Sequence, residues 1–341
     1  MHLEYPISPW SKMLTSFHNY QIKADEISLF EQKIESKFFS DLFDFEFSAE
    51  FYSHTNFNSL SYRKITADEL SQHFLNFVRF MFEDIVPSGA KRQTDWEKGW
   101  KQNLDEISNQ RLSVESLLPH YFRRGQNIMR FKGDFIMPKN PFFERDFLNC
   151  LLQCLAEKYV TSKEVIYEFA AGPCYNVARL AQMSRGKRYH ALDWAKSSQN
   201  IIEFLGENKV ALQLNDNELS GTNFNFFEPN HDFKLERGAL VYTIGGLEQL
   251  GSDFAASLEY FLSFADLDFI HFEPILEGYS RADLYSEMGF QYAKKRNYLN
   301  GFLDKLKSLE KDGRIKNLSS KPVIGSAFHD GWTMVHYQTN G

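Results

Sequence analysis

Glu168, Asp193, Glu248, His271, Glu273 and His329 are the side chains of this sequence whose types and spacing point to chemistry. Glu168 lies in a short apolar run, "VIYEFA", followed by the small residues Ala170, Ala171 and Gly172 and then by the helical pattern "CYNVARLAQMS". That is the outline of a loop between a strand and a helix, where backbone N–H groups meet a nucleotide-type cofactor. Asp193 stands about 20 residues beyond Gly172, the place from which an acid reaches ribose hydroxyls in such folds. A carboxylate suits that task because it offers two acceptors to a vicinal diol. His271 and Glu273 alternate by two in "LDFIHFEP" and so share one face of a strand. With Glu248 and His329 they are candidate bases for a hydroxyl or amine nucleophile. Plainer readings stand beside these: His271 as a satisfied strand-end histidine, Glu273 as a cap for the next segment, and His329 as an ordinary loop histidine.

Several elements must position these groups. "VIYEFA", "KRYHALDW", "TNFNFFEP", "GALVYTIGG", "LDFIHFEP", "GRIKNLS" and "GWTMVHYQ" read as seven short strands, with helices such as "KSSQNIIEFLGEN" and "SDFAASLEYFLSFA" between them. A long helical region is expected from about 281 to 311. Strands alternating with helices imply an α/β fold with a mostly parallel, Rossmann-like sheet. The last two strands lack an intervening helix, so they pair as an antiparallel hairpin. Ligands in such sheets bind beyond the carboxyl ends of the strands. Those ends bring Glu168, Ala170 and Gly172, then Asp193 and Trp194, then Glu228, then Thr243, Ile244 and Gly245, then His271 and Glu273. Residues 161–341 carry the sheet. Residues 1–120 read as mostly helical, a cap over the substrate or a dimerisation surface. The clearest helix there, "ITADELSQHFLNFVRFMFEDIVP", begins with a capping box at Thr66 and Glu69. Residues 121–160 hold an irregular connector, with a short strand or hairpin, and a helix. The connector is either a lid over the cofactor or a plain linker.

The loop itself narrows the cofactor. A dinucleotide fingerprint needs G-x-G-x-x-G; aligned on Gly172, its first and last positions hold Ala170 and Tyr175. Pro173 also removes one of the N–H groups that a pyrophosphate would use. A cofactor with ribose and adenine but no phosphate fits better. "YEFAAGPCYNVARLA" followed by "ALDWAKSS" resembles motifs I and II of the class I S-adenosylmethionine (SAM)-dependent methyltransferases, and the resemblance covers about residues 160 to 338. The family loop reads acid-x-Gly-x-Gly-x-Gly; here Ala170 and Cys174 replace two of the glycines. The resemblance implies SAM as cofactor, with Glu168, Ala170 and Gly172 toward its methionine part or ribose. It further implies Asp193 on the ribose diol, Trp194 against adenine and Glu228 on the adenine amino group. "YTIGGLEQLG", with Thr243, Ile244 and Gly245, falls where the family lines the transferred methyl, and a lid would bring Arg130 to the cofactor carboxylate. "HFEPI", "AKKRNYLNGFLDKLKSLEKDGRI" and "GSAFHDGW" are similar to segments of bacterial sugar and small-molecule methyltransferases. The implied activity is methyl transfer to oxygen or nitrogen of a small molecule. The alternatives are a non-catalytic protein that keeps the fold for binding and an enzyme that transfers another part of SAM.

Composition sets the frame. The chain has 341 residues, a net charge of −7 and 43% hydrophobic residues, which suits a globular protein. "YFRRG" and "AKKRNY" are too short to make a basic patch, so nucleic acid is not expected as a partner. In the second, Lys294 and Lys295 read as solvated, and Arg296 and Tyr298 point inward. Cys150, Cys154 and Cys174 are an odd count, and the first two fit core packing in a helical pattern. No metal is expected, because His271, Glu273, His329 and His336 match no standard spacing. "MHLEYPISPWSKM" is no signal sequence and no apolar run reaches about 18 residues, so a cytoplasmic protein is expected. Its partners would be a small-molecule substrate and, through the N-terminal helices, a second copy in a homodimer.

Overall fold

The computed structural model describes residues 31–341 apart from 124, 126 and 330. The first thirty residues of the region 1–120 expected to be mostly helical, and one arginine of "YFRRG", therefore lie outside the described residues. The first half of the chain contributes β1 (Gln32–Lys33), α1 (Ser36–Phe43), α2 (Ala49–His54), β2 (Ser61–Lys64), α3 (Ala67–Phe82) and α4 (Gln93–Asn109). A hairpin of β3 (Met129–Phe131) and β4 (Asp134–Pro138) then leads into α5 (Phe143–Lys158). The second half alternates: β5 (Val165–Phe169), α6 (Tyr175–Met183), β6 (Arg188–Asp193), α7 (Lys196–Glu207), β7 (Glu218–Asn223), β8 (Leu240–Ile244), α8 (Ala255–Leu262) and β9 (Asp268–Glu273). It closes with α9 (Leu284–Lys295), α10 (Phe302–Lys311), β10 (Ile315–Ser326) and β11 (Trp332–Thr339).

All strands among the described residues join one sheet of eleven, in the order β1-β2-β4-β3-β10-β11-β9-β8-β5-β6-β7. β9, β8, β5, β6 and β7 pair in parallel, and every other pairing is antiparallel. The expectation of seven mostly parallel strands is thereby corrected: antiparallel pairings outnumber parallel ones. The cause is the connector hairpin, which pairs with the far end of β10, and β2, which pairs with β4. β10 runs twelve residues, far beyond "GRIKNLS", and its last residues provide that docking edge. The α/β character and the antiparallel β10–β11 hairpin are present as read.

Two local expectations also change. The third strand is the polar "ELSGTN" of β7, and "FNFF" lies beyond it in a turn. β7 is an edge strand whose side chains are mostly solvated, so it carries no apolar signal, and Phe224 and Phe226 tuck inward from the turn instead. The helical region from 281 to 311 is two helices, because Asn297 (φ 56°) and Gly301 (φ 85°) take the left-handed conformation between them. Elsewhere local signals hold. Thr66 accepts from Glu69 N–H and Glu69 accepts from Thr66 N–H at the start of α3. β5, β8 and β9 are almost wholly buried, as continuous apolar runs in a covered parallel sheet should be. One face of the sheet packs under α1, α5, α6 and α7, where Phe39, Phe147, Leu151 and Ile201 meet, and the other under α8 and α10, around Phe261 and Leu306. The three cysteines are free and buried.

The chain runs from β5 through β6 and β7 on one side, then returns to β8 and β9 on the other. The strand order reverses between β5 and β8, and a crevice opens there beyond the carboxyl ends.

Candidate active site

A cavity of about 440 Å³ occupies that crevice. Its floor is the turn after β5. Ala170 (φ 55°), Gly172 (φ 53°) and Cys174 (φ 58°) all take positive φ there. Two non-glycine residues in this region cost about 1 kcal/mol or more each. Ala170 and Cys174 stand where the family loop has glycines, so the backbone keeps the glycine conformation after its side chains have changed. Close packing holds it: a Cβ added to Gly246, in the turn after β8, would lie 2.4 Å from the Cβ of Ala170.

Asp193 ends β6 beside this turn, 4% exposed, and lines the cavity. One carboxylate oxygen accepts from Gly172 N–H at 2.8 Å and the other from Ala195 N–H at 2.8 Å. The nearby Ser198 hydroxyl also favours the ionised carboxylate, and a carboxylate offers roughly four acceptor positions in all. Burial pushes its pKa up to about 6, against the pull of those hydrogen bonds. Trp194 lines the cavity and stacks on Phe227 at 5.9 Å. Ile244 and Gly245 line it from the end of β8.

Other sequence candidates lie outside the wall. Glu168 is 1% exposed beneath the turn, where it accepts from Asn176 Nδ2 at 2.7 Å and from the Tyr242 hydroxyl at 3.0 Å. Burial pushes it up to about 8. It anchors the first turn of α6 and does not border the cavity. Glu228 is exposed in the turn after β7, because the strand ends earlier than "TNFNFFEP" suggests. Arg130 is buried on the hairpin, where it donates to Tyr285 O at 2.8 Å and lies over the Phe135 ring, away from the cavity wall. The connector is a sheet extension, and its neighbour Met129 reaches the cavity.

His271, Thr243 and Glu273 form a closed chain behind the turn after β8. The Thr243 hydroxyl donates to Glu273 Oε1 at 2.6 Å, so its oxygen accepts from His271 Nδ1–H at 2.9 Å. His271 Nε2 faces the Tyr337 hydroxyl at 3.4 Å. Glu273 further accepts from Gly246 N–H at 2.9 Å and Glu248 N–H at 3.1 Å. Neither His271 nor Glu273 is solvent-exposed or borders the cavity, and burial drives the imidazole down to about 3. These three residues set the shape of the 246–250 turn. Glu273 caps the 246–250 turn, which precedes it in the chain, and not the segment that follows it.

Glu248 and His329 do border the cavity. Burial, helped by the nearby charge of Glu273, pushes Glu248 up to about 8. His329 stacks on Tyr292 at 5.3 Å, and burial with the charges of Arg130 and Arg296 holds it down to about 3. Its Nδ1 accepts from Gly331 N–H at 3.0 Å. A neutral imidazole bonded this way carries its proton on Nε2, so it is a donor and no base. Arg296 and Tyr298 border the same end, as "AKKRNY" suggests, and Lys295 donates to the carbonyls of Met81 and Glu83.

Trp96 and Trp100 of α4 complete the wall and were not among the sequence candidates. The available signal was two tryptophans four apart, at the head of the apolar stripe that Leu104 and Ile107 continue along the helix. Among the described residues, no group of three or more His, Cys, Asp or Glu is placed to hold a metal, and no helix is long and apolar enough to cross a membrane.

No family model and no curated relative matches the sequence. Solved methyltransferase structures resemble part of the chain. An O-methyltransferase from neocarzinostatin biosynthesis, crystallised with S-adenosylmethionine and 2-hydroxy-5-methyl naphthoic acid, matches with a TM-score of 0.36 and 12% identity over 58% of this chain and 57% of that one. An O-methyltransferase family protein from Burkholderia thailandensis gives 0.39 and 9% over 59% and 60%. The N,N-8-amino-8-demethyl-D-riboflavin dimethyltransferase of Streptomyces davawensis gives 0.38 and 11% over 58% and 57%. The chain spans less than two thirds of each. These neighbours are class I methyltransferases, the superfamily that the sequence motifs resemble. Likeness at this level is one of partial fold and carries no chemistry across.

Proposed function

We propose that the cavity binds S-adenosylmethionine and that the protein transfers its methyl group to an oxygen or nitrogen of a small molecule. The observation that carries this reading is Asp193. It is a buried carboxylate at the strand-order reversal, fixed against the turn by Gly172 N–H, with acceptor capacity beyond its two backbone bonds. The wall fits an adenosine and no phosphate. Asp193 would hold the ribose hydroxyls, Trp194, backed by Phe227, would lie against the adenine, and Pro173 withholds an N–H that a pyrophosphate would need. When bound, the cofactor supplies an electrophilic methyl on a sulfonium.

The remaining residues prepare the acceptor. The 246–250 turn, held by Glu273, presents Glu248 to the cavity. Once ionised, Glu248 takes the proton from a hydroxyl or ammonium acceptor, and its raised pKa makes it a stronger base than an ordinary carboxylate. His329 Nε2–H and the Arg296 guanidinium are donors that orient acceptor oxygens. Tyr121, Phe122 and Trp332 exclude water at that end. The test is incubation of the protein with methyl-labelled S-adenosylmethionine and a bacterial metabolite extract. Label is expected in a small-molecule fraction, at a rate lowered at least tenfold in Glu248→Gln. Cofactor binding with no labelled product from any extract would refute transfer.

A further inference from the structure

The N-terminal half of α4 lies on the turns that build the cavity. Glu97 accepts from Ser197 N–H and from the Ser197 hydroxyl at the start of α7. Gln93 donates to Trp194 O at 3.4 Å, and Trp96 Nε1–H donates to Gln249 Oε1 at 3.4 Å. Trp100 is 9% exposed and stacks on Trp96 at 5.2 Å with an interplanar angle of 20°. The Arg92 guanidinium lies over the Trp96 ring at 5.2 Å. A Cβ on Gly172 would lie 3.0 Å from Trp100 Cζ2, so the indole rests directly on the turn. The sequence spacing of residues 93, 96, 97 and 100 puts all four contacts on one helical face. The helix is thus fixed over the site by bonds to β6, α7 and the turn after β8.

The charge of the wall is lopsided. Among the described residues, and tyrosines apart, the ionisable side chains bordering the cavity are Glu144, Asp193, Glu248, His329 and Arg296. Glu248 keeps its proton to about pH 8, so among the described residues the carboxyl groups of Glu144 and Asp193 stand against the Arg296 guanidinium, and His329 is neutral for the reason given above. Such a wall favours a cationic ligand over a neutral one of the same shape, and an indole beside it adds the attraction of its π-face for a cation.

We infer that Trp100, braced by Trp96, is a cofactor-binding residue that recognises the positive charge of the sulfonium, so that the site separates methyl donor from demethylated product by charge. This rests on the methyl-transfer reading of the cavity. The consequence is release of the neutral thioether product in favour of fresh donor.

Calorimetry tests this with three probes: S-adenosylmethionine, the neutral S-adenosylhomocysteine, and the analogue in which a protonated carbon-bound amine replaces the sulfonium. In Trp100→Leu the two cationic probes are expected to bind about five- to thirty-fold more weakly. S-adenosylhomocysteine is expected to lose no more than about threefold. Trp100→Phe keeps an aromatic face and should lie between; its donor-to-product affinity ratio decides the matter if the Leu variant does not fold. Equal losses for all three probes would overturn the inference and leave Trp100 as packing. Failure of the unaltered protein to bind S-adenosylhomocysteine would instead sink the methyl-transfer reading beneath it.

Discussion

Replacing Gly172 by alanine should separate backbone strain from the seating of α4. Gly172 has φ 53°, where an L-residue costs about 1–2 kcal/mol. The new Cβ would also stand 3.0 Å from Cζ2 and 3.1 Å from Cε2 of Trp100. Carbon atoms are best placed about 3.5–4.0 Å apart, so the indole must retreat by roughly half an ångström. Trp96 and Arg92 are stacked behind it and must retreat too. Overpacking of this kind adds about 1–3 kcal/mol, for a total of roughly 2–5 kcal/mol. Urea unfolding of Gly172→Ala, Trp100→Ala and the double variant measures it. The double variant has no indole to clash with, so its loss should fall short of the sum of the singles by about 1 kcal/mol or more. Additive losses would mean that the indole is not against the turn in solution, and a single-variant cost under about 0.5 kcal/mol would refute the strain as well.

Other outcomes follow from the buried carboxyls. Glu168 keeps its proton to about pH 8 in the fold, while the unfolded chain releases it near pH 4.5. The unfolded state therefore binds fewer protons across that window, and stability falls as pH rises, by at most about 1.4 kcal/mol per pH unit for this group. Glu168→Gln should flatten the decline in chemical denaturation measured from pH 5 to 8; an unchanged slope would count against the burial argument. In pH–rate profiles, Glu248→Gln should abolish a rise in kcat/KM near pH 8, whereas Glu273→Gln should keep the rise but move it to lower pH, since the Glu273 charge helps hold Glu248 up. Glu273→Gln should instead cost about 2–4 kcal/mol of stability, because the amide NH2 takes the place of one carboxylate oxygen and is set against either Glu248 N–H or the Thr243 hydroxyl and Gly246 N–H.

The parts of this architecture that local signals encode were legible in the sequence. β5, the small-residue turn and α6 follow from an apolar run, a cluster of small residues and a helical pattern, and Asp193 follows from its place one strand later. α3 announces itself through its capping box. The parts that escaped depend on non-local pairing. Nothing in "MRFKGDFIMP" says that its hairpin will extend the sheet past β10, and the polar edge strand β7 has no buried face to betray it. Alternation placed His271 and Glu273 on one sheet face, but alternation does not say which face meets the cavity. That depends on Thr243 and Tyr337, on neighbouring strands. The tryptophans of α4 reach the site from about seventy residues upstream of the turn, a distance no periodicity spans.

Calorimetric titration of S-adenosylhomocysteine into the unaltered protein and into Asp193→Asn is the most direct measurement of whether this crevice is a methyl-donor site. The unaltered protein is expected to bind one equivalent per chain. Asp193→Asn, whose fold is checked by its thermal melt, is expected to bind at least about tenfold more weakly, since one acceptor to the ribose diol is lost. No binding by the unaltered protein, or equal binding by both, would contradict it.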